Sequence, residues 1–143
     1  MNANEMLSGP ILVGVRPLCN VDENDDSFDQ QLIPYINGQI MMAHQFGIGY
    51  NGFIVTGTGE TWRDWLGDDG YKISAAITWL GLTVRQLFDP PTGGEKETIE
   101  RTVDKMEWML RSKSESEGLV QQYVPEHASF YEERIAEATA DED

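Results

Sequence analysis

Residues 73–91 read ISAAITWLGLTVRQLFDPP, and the residues that follow, 92–111, read TGGEKETIERTVDKMEWMLR. Ile73, Ile77, Leu80, Val84 and Leu87 recur at spacings of four and three, which is one stripe down an α-helix. Phe88-Asp89-Pro90-Pro91 stops that helix, because proline lacks the amide donor and its ring clashes with the preceding turn. A second helix is predicted to open at once, with Thr92-Gly93-Gly94-Glu95 as a capping box and Ile99, Val103, Met106 and Leu110 as its stripe. Two amphipathic helices on a short, stiff turn make an antiparallel hairpin. The fold class that follows is all-α, a small bundle of about four helices with a glycine-rich loop and a C-terminal extension.

Upstream, Ser8–Cys19 suggests a first helix with Ser8 as N-cap, Ile11, Leu12, Val15 and Leu18 on one face, and Pro17 ending or kinking it early. The acidic loop Asp22-Glu23-Asn24-Asp25-Asp26 precedes a second helical stripe of Phe28, Leu32, Ile36, Ile40 and Ala43, where acids complement the positive end of the helix dipole. Pro34 and Gly38 fall inside this helix and predict a kink near Gln30–Pro34. Gly47–Gly59 is glycine-rich without helical period, so Phe53-Ile54-Val55 is expected as a short strand or as a loop plugged against the core. Thr61-Trp62-Arg63-Asp64 looks like another N-cap, opening a short helix that Gly67 ends, and Asp68 or Asp69 is the expected cap of the helix at Ile73.

The chain thus divides into a helical body over residues 1–111, a polar linker over 112–118 and an arm over 119–143 expected to order on a partner. The linker, Ser112-Lys113-Ser114-Glu115-Ser116-Glu117-Gly118, has no apolar anchor, whereas the arm carries Leu119, Val120, Tyr123, Val124, Phe130, Tyr131 and Ile135. The alternative for the arm is a last helix folded back on the bundle.

Twenty-five acidic residues against ten basic give a formal net charge of −15 over 143 residues. That balance argues against a surface gripping nucleic-acid phosphates, which needs clustered Lys and Arg to displace counterions. It fits plain solubility, or a surface that DNA passes without sticking. Nothing at the N-terminus resembles a signal peptide, and no apolar run approaches a membrane span. Cys19 is the single cysteine, so no internal disulfide forms, as expected of a protein assembled in cytoplasm.

Tests for chemistry fail one after another. Asp22, Asn24 and Asp26 match the first oxygen ligands of a calcium loop, but Ser27 stands where glycine must turn the chain and Ile33 where a bidentate Glu is needed. Gly47-Ile48-Gly49-Tyr50-Asn51-Gly52 has the letters of a dinucleotide fingerprint, yet it follows a helix instead of leaving a strand, so a helix C-cap accounts for it better. His44 and His127 lie far apart in sequence, Cys19 has no activating base beyond Arg16, and no serine-centred nucleophile elbow is present. No catalytic residue, cofactor or metal ligand is expected. Of the four tryptophans, Trp79 and Trp108 lie beside their stripes; they either widen the buried face or sit in subunit interfaces, where Trp is enriched.

A series of segments carries a resemblance: Asp25–Asp29 leading into a helix, Gln45-Phe46-Gly47-Ile48-Gly49, Gly52-Phe53, Thr61–Asp68, the Leu87–Pro91 stop, and Glu107-Trp108. Over about Ile11 to Arg111 it resembles the head–tail connector or adaptor proteins of tailed bacteriophages. The resemblance implies a helical bundle, without catalysis, whose copies form a homo-oligomeric ring, dodecameric in such families. That ring lies beneath the portal protein in the virion neck, extends the DNA channel and joins head to tail, and double-stranded DNA passes through it without specific binding. It implies Tyr123, Val124, Phe130, Tyr131 and Ile135 as candidate portal contacts. Gly49, Tyr50, Phe53 and Ile54 become the candidate contact with a neighbour or with the next connector or tail-completion protein. Ring formation is expected on the portal, not in isolation. The competing reading is a small acidic binding or inhibitory protein, a nucleic-acid mimic; a hydrolase using clustered carboxylates is a third.

Overall fold

The computed structural model describes residues 2–68 and 73–116, with side chains as far as Arg111. Among them are six helices and no strand: α1 (Ala3–Leu7), α2 (Ile11–Leu18), α3 (Asp29–Gln45), α4 (Trp62–Leu66), α5 (Ile73–Phe88) and α6 (Gly93–Ser116). The all-α bundle expected from the stripes is therefore present. Its body is α2, α3, α5 and α6, with α5 in the middle, packed against the other three. An isolated bridge between Pro10 and Thr61 staples the α1–α2 junction to the start of α4.

The hairpin is α5 and α6. Ile99, Val103 and Leu110 are buried as their spacing predicts. On α5 the buried face is wider than the stripe and turned from it: Ile73, Ala76, Trp79, Leu80, Gly81, Thr83 and Val84 are inside, whereas Leu87 is exposed. A helix with neighbours on three sides buries more than one stripe. Glu95 does not close the expected capping box; its carboxylate accepts from Arg85 of α5, tying the two helices across the turn. Nor does α6 stop at Arg111. It continues to Ser116, so most of the expected polar linker is helical. The remaining linker residues and the arm, with Tyr123, Val124, Phe130, Tyr131 and Ile135, lie outside the described residues, as does Asp69.

The N-terminal segment departs further from its sequence reading. Ser8 does not open a helix; it closes α1 at the C-cap, its hydroxyl donating to the Glu5 carbonyl, and Pro10 occupies the N-cap of α2. Pro17 is the second-last residue of α2, where the helix ends in a Schellman turn. The Val21 amide reaches back to the Arg16 carbonyl and the Asn20 amide to that of Pro17, with Asn20 at φ 62°, a conformation asparagine tolerates. Asn20 also donates to the Asp89 carboxylate, fastening this end of α2 to the hairpin turn. A few residues back along the same contact, a Cβ on Gly81 would lie 2.1 Å from a Leu18 methyl, so α2 and α5 touch where only glycine fits. Cys19 is 1% exposed beside it, and burial pushes its thiol up to about 12, the opposite of an activated nucleophile.

α3 runs through Pro34 and Gly38 as one helix, burying Leu32, Ile36, Ile40 and Ala43. Phe28, the first member of its stripe, is exposed at the N-cap instead of buried, edge-on to Phe88 with ring centroids 5.5 Å apart. α4 opens as its sequence predicts, with Thr61 and Asp64 capping each other's backbone amides and Gly67 leaving the helix at φ 76°.

Candidate interaction surfaces

No metal-ligating cluster of three His, Cys, Asp or Glu occurs among the described residues. Several of the acidic residues are instead engaged with the fold. Arg16, 5% exposed at its side chain, donates through Nε and Nη2 to the two oxygens of Asp29 and through Nη1 to the Glu23 carbonyl at 2.7 Å. One guanidinium thus ties α2 to the acidic loop and to the first residue of α3, and its hydrogen bonds to the Asp29 carboxylate raise its pKa further. Asp25 accepts from the Ser27 hydroxyl and amide, which holds its carboxyl below the usual range. Glu60 is lowered in the same way by the Thr56 hydroxyl and amide, with help from the Gly57 amide. Carboxylates spent on caps and turns are not spaced as a row of phosphates, which counts against a nucleic-acid mimic.

The loop after α3 is the most distinctive surface. α3 closes in a second Schellman turn: the Ile48 amide bonds the Ala43 carbonyl and the Gly47 amide that of His44, with Gly47 at φ 90°. That geometry is the helix C-cap expected in place of a dinucleotide loop. The chain then folds back along α3, where the Asn37 side chain bonds both the amide and the carbonyl of Val55, at 2.7 and 2.9 Å. Asn37 does for Val55 what a neighbouring strand would do, so the segment needs no sheet to lie flat on the core. Phe53 and Val55 point inward at 7% and 1% exposure, whereas Tyr50 and Ile54 face out at 52% and 55%. Of the four loop residues expected to meet a partner, Gly49, Tyr50 and Ile54 are at the surface and Phe53 is not. Phe53 instead supports Tyr50 edge-on from below, with ring centroids 5.5 Å apart.

The tryptophans separate likewise. Trp79 is 3% exposed, with its ring edge-on to Phe46, so the fold itself accounts for it and it leaves the set of interface candidates. Trp108 is half-buried on α6. Below it, Arg111 lies over the Phe46 ring at 4.3 Å and donates to Glu107. Burial raises the Glu107 carboxyl above its ordinary value, against the pull of Arg111. A carboxyl with a raised pKa in the fold favours folding below its unfolded pKa of about 4.3, and this contribution is lost as the pH rises through the folded value. Glu107→Gln, whose amide oxygen still accepts from Arg111, should therefore be more stable than the parent at neutral pH. The gain should vanish near pH 4, measured by urea denaturation at both.

Sequence reasoning overlooked the outer face of α3, where Met41 and Met42 are exposed at 70% and 49%. The signal was a negative one: Gln30–Gly59 contains no Asp, Glu, Lys or Arg, and all 35 charged residues lie elsewhere. A family model described as phage connector protein matches residues 11–117. The chain belongs to this family. No curated protein and no solved structure matches it. The connector is thus a structural component of the bacteriophage virion that takes part in joining head to tail and contacts other head or tail proteins. None of the helices among the described residues is long and apolar enough to cross a membrane.

Proposed function

We propose that this connector forms a homo-oligomeric ring beneath the portal protein, in the neck, where it extends the DNA channel and receives the next connector or tail-completion protein. Membership of the connector family over residues 11–117 carries this reading. The fold supports it physically. A ring subunit needs a rigid body, and the α5–α6 hairpin locked to α2 and α3 supplies one. It also needs surfaces for neighbours: Tyr50 and Ile54 stand out from a loop pinned by Asn37, and Trp108 is half-exposed on α6. The apolar residues Tyr123, Val124, Phe130, Tyr131 and Ile135 are the proposed portal contacts. With a net charge of −15, acidic side chains lining the lumen would keep DNA sliding by repulsion.

The test is electron microscopy of particles from a phage lacking the gene. Free tails beside heads that have packaged and then lost DNA are expected. Intact, tailed, DNA-filled particles would end this reading.

A further inference from the structure

Most cations of the bundle are already matched by a carboxylate. Arg16 pairs with Asp29, Arg63 with Asp68, Arg85 with Glu95 and Arg111 with Glu107. Lys96, Arg101 and Lys105 make no ion pair among the described residues, and all three are exposed on α6. Arg101, Lys105 and Met109 follow one another at spacings of four, so they stand in one row along the outer side of that helix. Met109 is 48% exposed and Trp108 beside it is half-buried, which gives the row an apolar end. Glu97 closes it at the other end. An unneutralised cationic row is out of keeping with a chain of net charge −15 and marks a seat for an anionic segment.

We propose that its occupant is this chain's own arm: in the unassembled connector, residues 119–143 lie back along α6. The arm has seven carboxylate side chains against Arg134 alone, and it follows directly from the helix that carries the row. The order of residues also matches. Read away from Gly118, α6 presents Met109, then Lys105, then Arg101; the arm presents Phe130 and Tyr131, then Glu133, then Glu137. Laid antiparallel, the aromatic pair meets Met109 and Trp108, Glu133 meets Lys105, and Glu137 meets Arg101. On each segment the two charges are four residues apart, one helical repeat. Reach is ample: Ser116 back to Lys105 is about 16 Å of helix, whereas Glu117–Glu132 can span about 50 Å.

Exposed ion pairs are individually weak, but the tether holds the arm near its seat at a high effective concentration. DNA phosphates fit the row less well, since two cations beside Glu97 release few counterions. The docking goes beyond the connector role and does not depend on it. Its consequence rests on the portal reading above: to meet the portal, Phe130, Tyr131 and Ile135 must leave α6, so the row is uncovered only on a docked subunit.

The experiment is paramagnetic relaxation in the purified full chain, with a nitroxide attached to Ala136→Cys. Cys19 stays unlabelled, being 1% exposed with its thiol raised to about 12. Amide resonances over Arg101–Met109 are expected to lose most of their intensity, and those of Asp22–Asp26 none. Lys105→Glu should restore roughly half of the lost signal, one of the two charge pairs being reversed. Adding Glu133→Lys should bring the loss back. Salt at about 0.5 M, where the Debye length is about 4 Å, should weaken the contact. A spin-labelled chain mixed with a separately isotope-labelled copy should give no broadening, which separates the arm's own contact from one between copies. Lys105 is exposed, and unchanged helicity by circular dichroism would show that the variants fold. Unaffected α6 resonances, equal broadening in the mixed sample, or a Glu133→Lys exchange that restores nothing would overturn the inference. No portal or phage enters this measurement, so its failure is separate from failure of the connector role in the deletion particles.

Discussion

Replacing Arg16 with methionine should destabilise the connector by about 3 kcal/mol, seen as a lowered urea midpoint at an unchanged slope. The magnitude follows from what is left behind. Methionine fills much the same space, so the loss is electrostatic: Asp29 at the start of α3 keeps its charge without its partner, and the Glu23 carbonyl loses its donor. Breaking a buried pair from one side costs about 3–5 kcal/mol, and the lower end applies because Asp29 remains 20% exposed and can recruit water. The double variant Arg16→Met, Asp29→Asn should recover roughly half of the loss, since the orphaned charge is gone. Arg16→Lys should fall between parent and methionine, because an ammonium cannot span both carboxylate oxygens and the Glu23 carbonyl. A change of under about 0.5 kcal/mol for Arg16→Met would mean that the pair behaves as an exposed one.

Arg16 also illustrates what was legible in the sequence and what was not. The hairpin was legible because its information is local: two stripes and a double proline lie within forty residues, although the cap expected at Thr92–Glu95 does not form. The Thr61–Asp64 box and the α3 C-cap were legible for the same reason. Arg16 was not, because its partners, Glu23 in the acidic loop and Asp29 at the start of α3, are brought to it by a chain course that only the tertiary structure defines; in sequence it is one polar residue near an apolar stripe. The wide buried face of α5 is a related case. A helical period identifies one stripe, but whether Trp79 and Ala76 are also inside depends on how many neighbours the helix has. Phe53 and Ile54 were ambiguous until Asn37 settled which of the two faces the core, since alternation alone leaves the register open. The candidate interface was in the sequence after all, as an absence of charge instead of a motif.

The second large effect concerns the pair of indoles that fix the interface loop from beneath. Trp65 is 2% exposed, its ring centroid 6.1 Å from that of Trp62, which itself lies against Gly14 of α2. On its other side Trp65 meets Gly49: a Cβ there would lie 2.3 Å from the indole nitrogen, and Gly49 sits at φ 76°. α4 is only five residues long and could not be stable alone, so these contacts, and not helix propensity, hold it. Trp65→Ala should therefore cost about 3–5 kcal/mol, the usual range for emptying a large aromatic site. Trp65→Phe should cost only about 1–2 kcal/mol, because the buried indole N–H has no hydrogen-bond partner and phenylalanine gives up volume alone. Gly49→Ala tests the same contact from the loop. In the parent it combines an unfavourable φ with the collision, whereas in the Trp65→Ala background only the backbone term of about 1–2 kcal/mol should remain. That coupling, measured as a double-mutant cycle by chemical denaturation, distinguishes a loop seated on Trp65 from one that merely passes over it. Strict additivity of the two substitutions would show the latter, and the rigid presentation of Tyr50 and Ile54 would then have to come from Asn37 and the Schellman turn alone.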